Sequence, residues 1–468
     1  MFFNSWIFAV FFAVFYVLYI NLRGRSRKYL LLAGSYVFYG FWDSRFLILI
    51  FLSTVVDFYI GKAIYRSKAP KAKRLIALSL CFNLGVLAYF KYANFFIDSA
   101  QLLLSQIGIE NNWSALNVIL PVGISFYTFQ TISYSIDIYR KELKPTDSFL
   151  DFACFVGFFP QLVAGPIERA KALLPQMKNP QLPSRSKIDL GVLLILLGLF
   201  KKIVIADSCC SVVDYSYANP EQSPYNTIII AVFFSFQIYA DFSGYTDMAR
   251  GLALTMGIKL SLNFLKPYMV GSPSEFWRNW HISLSSWLRD YLYIPLGGNR
   301  QGGTRTNCNL MITMVLGGLW HGAGWAFVLW GFFHGIWLVL HRMAAPKLSG
   351  VRKLGPRFYA ITAIVVTYAI SLGGWHLFRL GSVEQSMQLE TLRLSMNKLI
   401  HWDQVNTQLL FPMAFYGFLV FFLQHISSKY DEYEHFSFIK KGAILFLLIG
   451  SCFLLGRSGG AQFIYFQF

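Results

Sequence analysis

Two histidines lie in segments whose residue types could do chemistry. His321 lies in GGLWHGAGWAFVLWGFFHG, residues 317–335, an apolar and glycine-rich run. An ionisable side chain in such a run is a site candidate by default, and imidazole suits general-base work near neutral pH. The competing reading is a hydrogen-bonded packing histidine, and the residues alone leave both open. The glycines around it permit close backbone approach or irregular backbone at depth. His281 lies in FWRNWHISLSSWLRDYLYIPLGG, residues 276–298, where Trp277, Trp280, Trp287, Tyr291 and Tyr293 alternate with Arg278, His281, Arg289 and Asp290. That stretch is too polar to span a bilayer and reads as a helix lying in the interface.

The loop Gly297–Arg305 adds four glycines with Arg300 and Arg305. With Arg289, these arginines are candidate contacts for the phosphates of a nucleotide-bearing donor, although the loop lacks the GK[ST] ending of a P-loop. A plain interfacial helix is the alternative. At the other end of the chain, FIYFQF (463–468) follows a Gly/Ser break at Ser458, Gly459 and Gly460. It reads either as an interfacial aromatic anchor or as a segment with a second role. His334 and His341 share a helical face seven residues apart, but no third ligand has suitable spacing, so no metal site is predicted.

The elements that must position these residues are membrane helices. Over 468 residues the chain is 55% hydrophobic and only 14% charged, with a mean hydropathy of +0.47. Its apolar residues gather in runs such as 6–20, 46–60 and 443–455 without the polar stripe a soluble helix needs. The net charge of +18 is spread over short loops (Arg23, Arg25, Arg27, Lys28; Lys62, Arg66, Lys68, Lys71, Lys73, Arg74), the pattern of cytoplasmic loops facing anionic lipid. No nucleic-acid partner is predicted. Six scattered cysteines form no CxxC pair, so neither zinc nor a disulfide framework is suggested, and they read as small buried apolar residues. The first apolar run lacks a basic n-region and a cleavage site, and so reads as a retained helix.

This pattern predicts an all-α polytopic membrane protein, read as one domain over 1–468, with twelve crossings. They fall near 5–20, 29–42, 46–61, 75–95, 118–139, 188–206, 228–245, 308–320, 325–341, 358–378, 407–425 and 442–458. The segment 149–168 carries Pro160, Gly165 and Pro166 between basic flanks, and so reads as re-entrant. The stretch 246–306 reads as cytoplasmic-side interfacial helices, and 459–468 as an extracytoplasmic tail. Both termini are predicted outside. The intramembrane polar residues Asp57, Gln130, Asp137, Gln161, Gln237, Asp241 and Asp247 read mostly as contacts between helices.

WxxWHxSLSxWLRDYxYxPLGG at 277–298 and GLWHGAGWxFxxWGxxHG at 318–335 resemble the paired signatures of the membrane-bound O-acyltransferases (MBOAT). SYVFYGFWD, PVGISFYTFQTISYSIDIYR, FFPQLVAGPIERA and QIYADFSGYTDMARGLALTMG extend the resemblance over most of the chain. It is greatest to the alginate O-acetylation (AlgI-like) branch, with the teichoic-acid D-alanyl transferases (DltB-like) as cousins. SLGGWHLF at 371–378 matches only loosely and is assigned no function.

The resemblance implies helices around a through-membrane tunnel, His321 as the catalytic histidine and His281 as the second motif histidine. It further implies an acyl thioester donor on the cytoplasmic side, acetyl-CoA in this branch, with no tightly bound cofactor. It makes Tyr465 in the tail an acyl carrier that passes its group to an SGNH-type partner acting on a polysaccharide, in a bacterial cytoplasmic membrane. A dry tunnel would protect the thioester, and an adjacent base would activate a hydroxyl that is a poor nucleophile by itself. The alternative from another class is a transporter of lipid-linked or polysaccharide intermediates, although the internal repeats usual in transporters are not visible.

Overall fold

The computed structural model describes residues 1–109, 113, 116, 118–163, 165–223, 225–383, 388–400, 407–457 and 463–464. The described residues are helical, without strands. Among the described residues, seven helices are long and apolar enough to cross a membrane: Ser44–Arg66, Ala69–Gln106, Thr227–Thr255, Trp325–Leu348, Pro356–Leu380, Thr407–Ile426 and Phe438–Leu455. The other segments predicted to cross are helical too, but shorter or more polar: Trp6–Asn21, Gly24–Gly40, Ile124–Tyr139, Arg185–Phe200 and Gly302–His321. The helices pack as two compact units, Met1–Val192 with Ala249–Ser261, and Leu193–Met248 with Leu262–Phe468. The divisions fall inside the helices Arg185–Phe200 and Thr227–Thr255.

In the first unit the predicted re-entrant element is a broken helix. Phe149–Gly157 stops at Phe158, and a four-residue helix, Phe159–Leu162, follows. Neither piece approaches the ~20 residues a crossing needs. A break at depth exposes backbone groups that hydrocarbon cannot satisfy, and side chains meet that need here. Gln130 and Gln161 both donate to the Phe155 carbonyl, at 2.9 and 2.6 Å, and the Phe159 N–H donates to Ser35 Oγ at 3.2 Å. The break also turns the Phe159 ring into a cluster formed by Phe8, Phe11, Phe12, Phe15 and Phe38. Asp57, another of the predicted intramembrane polar residues, accepts from Ser79, Asn83 and Ser135.

In the second unit two helices carry the glycine-rich motif, Gly302–His321 and Trp325–Leu354, joined by a tight turn. A Cβ on Gly318 would fall inside the Phe327 carbonyl, and one on Gly331 inside that of Met314. The glycines are there because two backbones touch, the packing that small residues allow between membrane helices.

The stretch 246–306 holds the end of one long helix and two short ones. The helix Thr227–Thr255 runs ten residues into it. Beyond that lie two short helices, Pro273–Asn279 and Ile282–Leu288. Phe276, Trp280, Leu284 and Trp287 are buried, and Trp280 packs on Phe264 and Trp375 with ring centroids 4.9 and 4.5 Å away. Burying large aromatic area in this way stabilises the packing of the two short helices.

Candidate active site

The second unit brings the two motif histidines together. His281 sits between the two short helices with φ 43° and ψ 55°, a left-handed conformation uncommon for a residue with a side chain. Asn263 holds the kink: its carbonyl accepts the Ile282 N–H at 3.0 Å and its Oδ1 accepts the Ser283 N–H at 3.2 Å, satisfying the start of the following helix. The conformation turns the His281 ring inward, where it is fully buried, with its edge on Phe242 at 4.7 Å. His281 belongs to none of the seven spanning helices, and burial pushes its imidazole down to about 3, so it is neutral at physiological pH.

His321 is the last residue of its helix, which ends because Gly322 turns extended. Its ring is edge-on to Trp320, Trp330 and Phe378, with centroids 5.1, 5.0 and 5.3 Å away, and lies 6.2 Å from that of His281. His321 also forms part of the wall of a cavity of about 560 Å³. That volume is in the range of small-molecule sites. Trp277 and Trp330 flank His321; Leu288, Leu310, Met314 and Leu338 supply apolar wall; Ser285 and Ser286 add hydroxyls. Three exposed arginines, Arg278, Arg289 and Arg342, line the same cavity and so mark its open end. A buried imidazole at one end and cations at the other suit a long ligand with a reactive head and an anionic tail.

Of the arginines singled out in the sequence, Arg289 lines this cavity, whereas Arg300 and Arg305 do not. Both are exposed, because the glycines of 297–303 carry the chain out in a turn with positive φ at Gly297, Gly298 and Gly302. Arg278 and Arg342 line it beside Arg289. Arg278 lay in the signature and was not assigned a role; Arg342, twenty-one residues beyond His321, had no sequence signal. Arg342 is oriented by Asn307 Oδ1, which accepts from its guanidinium at 2.6 Å.

Tyr465 lies outside the described residues. The two residues before it, Phe463 and Ile464, are buried. Phe463 packs on Tyr245 at 4.7 Å and on Phe242 at 5.8 Å, and the Ile464 N–H donates to Asp241 Oδ2 at 2.7 Å. This part of the tail is therefore seated in the second unit rather than spread on an interface.

The remaining histidines have other settings. His334 is boxed by Trp277, Trp330 and Phe333, and His376 Nδ1 lies 2.6 Å from the Tyr217 hydroxyl. Among the described residues no group of three His, Cys, Asp or Glu side chains is arranged to hold a metal.

The family model of the membrane-bound O-acyltransferases (MBOAT) matches residues 140–382, which include both histidines and all three cavity arginines. The chain is 37% identical to the probable alginate O-acetylase of Azotobacter vinelandii over the full length of both. It is 34% identical to the peptidoglycan O-acetyltransferase of Helicobacter pylori, over 94% of this chain and 91% of the relative. Similarity to the teichoic acid D-alanyltransferase of Streptococcus thermophilus is 30% over 56% of this chain and 66% of that protein.

Proposed function

We infer the chemistry of this chain from its kinship: it belongs to the membrane-bound O-acyltransferase family and is a multi-pass membrane O-acyltransferase. It takes an acetyl or other short acyl group from a thioester, acetyl-CoA first among the donors, and delivers it to a hydroxyl for O-acylation of an extracytoplasmic polysaccharide. The observation that carries this reading is His321, buried in the wall of a 560 Å³ cavity whose open end bears three arginines. Phosphates of a nucleotide-bearing donor suit the guanidinium groups, and the apolar wall between suits the linker and shields the thioester from water.

At the inner end the acceptor hydroxyl loses its proton to the His321 imidazole as its oxygen attacks the thioester carbonyl. The C–S bond breaks and the sulfur leaves as the thiol, carrying away that proton. His281, neutral and one ring away, supports His321. The Tyr465 phenol is the first acceptor, forming an aryl ester that an SGNH-type extracytoplasmic partner passes to the glycan. The burial of its neighbours Phe463 and Ile464, with Phe463 packed on Phe242, supports this order. The cell location is a bacterial cytoplasmic membrane, with both termini outside.

The test is glycan O-acetylation in cells carrying wild-type protein or His321→Ala. A base contributes about 10²–10⁴-fold, so the variant should leave the glycan essentially unacetylated at equal protein level. Wild-type acetylation by His321→Ala would end this reading. Mass spectrometry under turnover should find the acyl group on Tyr465, and unimpaired transfer by Tyr465→Phe would remove the carrier step alone.

A further inference from the structure

A buried ion cluster in the second unit has no part in the chemistry above. A π-helical turn, Lys201–Ala206, interrupts the helical run between Arg185–Phe200 and Asp207–Ala218. Its wider winding turns two successive lysines inward, and both are buried. Lys201 pairs with Asp247 at 2.6 Å; Lys202 is shared by Asp207 and Asp241, each at 2.9 Å. These five groups comprise two ammonium and three carboxylate groups. Buried carboxylates need partners for their remaining lone pairs, and Asp241 finds one in the backbone of the C-terminal segment, the Ile464 N–H.

The same two elements hold the segment at a second point. After the last helix the Arg457 N–H donates to the Ile203 carbonyl, on the π-turn itself, at 3.1 Å. Phe463 then lies on Tyr245 and Phe242, one turn and one residue along the helix from Asp241. Phe242 is in turn the ring against His281. The chain end is thus tied at Ile203 and Asp241, with its aromatic side chain one ring from the histidine pair.

We infer that Asp241, oriented by Lys202, is a positioning residue that docks the C-terminal segment beside the histidines through the Ile464 N–H. The docking rests on the geometry above, while its purpose, bringing the residue that follows Ile464 to the acyl group, rests on the acyltransferase reading. A backbone N–H is a sequence-independent handle. Asp241 therefore fixes the register of the segment, and Phe463 supplies its side-chain contact.

The experiment is digestion of the full-length, detergent-solubilised protein with a carboxypeptidase, followed by intact mass, with melting temperature recorded alongside. Asp241→Ala deletes the acceptor while Asp207 still pairs Lys202. Loss of a hydrogen bond to a charged group should speed removal of residues 464–468 about tenfold. Asp241→Asn keeps an acceptor oxygen and should restore most of the protection, which a purely structural carboxylate would not. Phe463→Ala leaves the ion cluster intact and should release the segment as Asp241→Ala does, so it carries the test if the latter fails to fold. Equal digestion rates for wild type and the folded variants, or Asp241→Asn digested as fast as Asp241→Ala, would overturn the inference. Digestion needs no donor. A protein that protects its end yet transfers no acyl group overturns the function and supports docking; active protein with an unprotected end does the reverse.

Discussion

His281 and His321 come from different elements, yet their rings are 6.2 Å apart, and Trp320 packs against both. The pair exists because Asn263 holds a left-handed kink at one histidine and Gly322 ends the helix at the other. Groups that act as a unit give non-additive losses. His321→Ala should abolish transfer, and His281→Ala should lower it by at least about tenfold through the lost support of His321. The double variant should be no worse than His321→Ala alone. Steady-state rates of thioester consumption by purified protein check this, and multiplicative losses would show two independent roles.

The arginines divide by position. Arg278, Arg289 and Arg342 line the cavity, whereas Arg300 and Arg305 sit outside it. Each exposed cation contributes modestly in water. Single Ala substitutions at the first three should raise KM for the donor about 3- to 10-fold with kcat retained, an effect that shrinks as salt screens the charges. Arg300→Ala and Arg305→Ala should leave KM within about twofold. Donor titrations at two salt concentrations separate the groups.

Much of this was legible in the residues, and the remainder has physical causes. Segments predicted to cross appear as helices because runs near 20 apolar residues have little alternative in a bilayer. The re-entrant break was readable from Pro160 and its flanks, and Gln130 and Gln161 stood out as polar residues at depth. That both serve one carbonyl, that of Phe155, is a tertiary fact. The stretch 276–298 showed its alternating Trp and Arg but not their partners, because the contact of Trp280 with Trp375, some ninety residues on, is tertiary. Lys201 and Lys202 stood in plain sight inside a predicted span. Their meaning depends on a π-turn that local pattern does not encode.

The His281 imidazole makes an acid-side prediction. Its pKa is depressed from 6.5 to about 3 by burial, so the unfolded chain binds a proton over that interval and the folded chain does not. Its contribution is fully present above about 6.5 and is lost as pH falls towards 3. At pH 5 the loss is of order 2 kcal/mol. Thermal unfolding in detergent between pH 7.5 and 5 should therefore show a falling melting temperature, with a shallower fall in His281→Gln.

Two glycines on one helix give a matched pair. In Gly302–His321, Gly318 faces the Phe327 carbonyl, where an added Cβ has no room, while a Cβ on Gly303 would meet nothing within 4 Å. The obstacle at Gly318 is backbone, which cannot swing aside as a side chain would, and moving it separates the two helices that carry His321 and Trp330. Gly318→Ala should thus cost at least the 1–3 kcal/mol typical of overpacking and lower both melting temperature and activity. Gly303→Ala should be neutral or slightly stabilising, since alanine is the better helix former. Melting curves of the two variants beside wild type decide the matter. An Ala at 318 tolerated as well as one at 303 would mean that the helices do not pack backbone to backbone at this point.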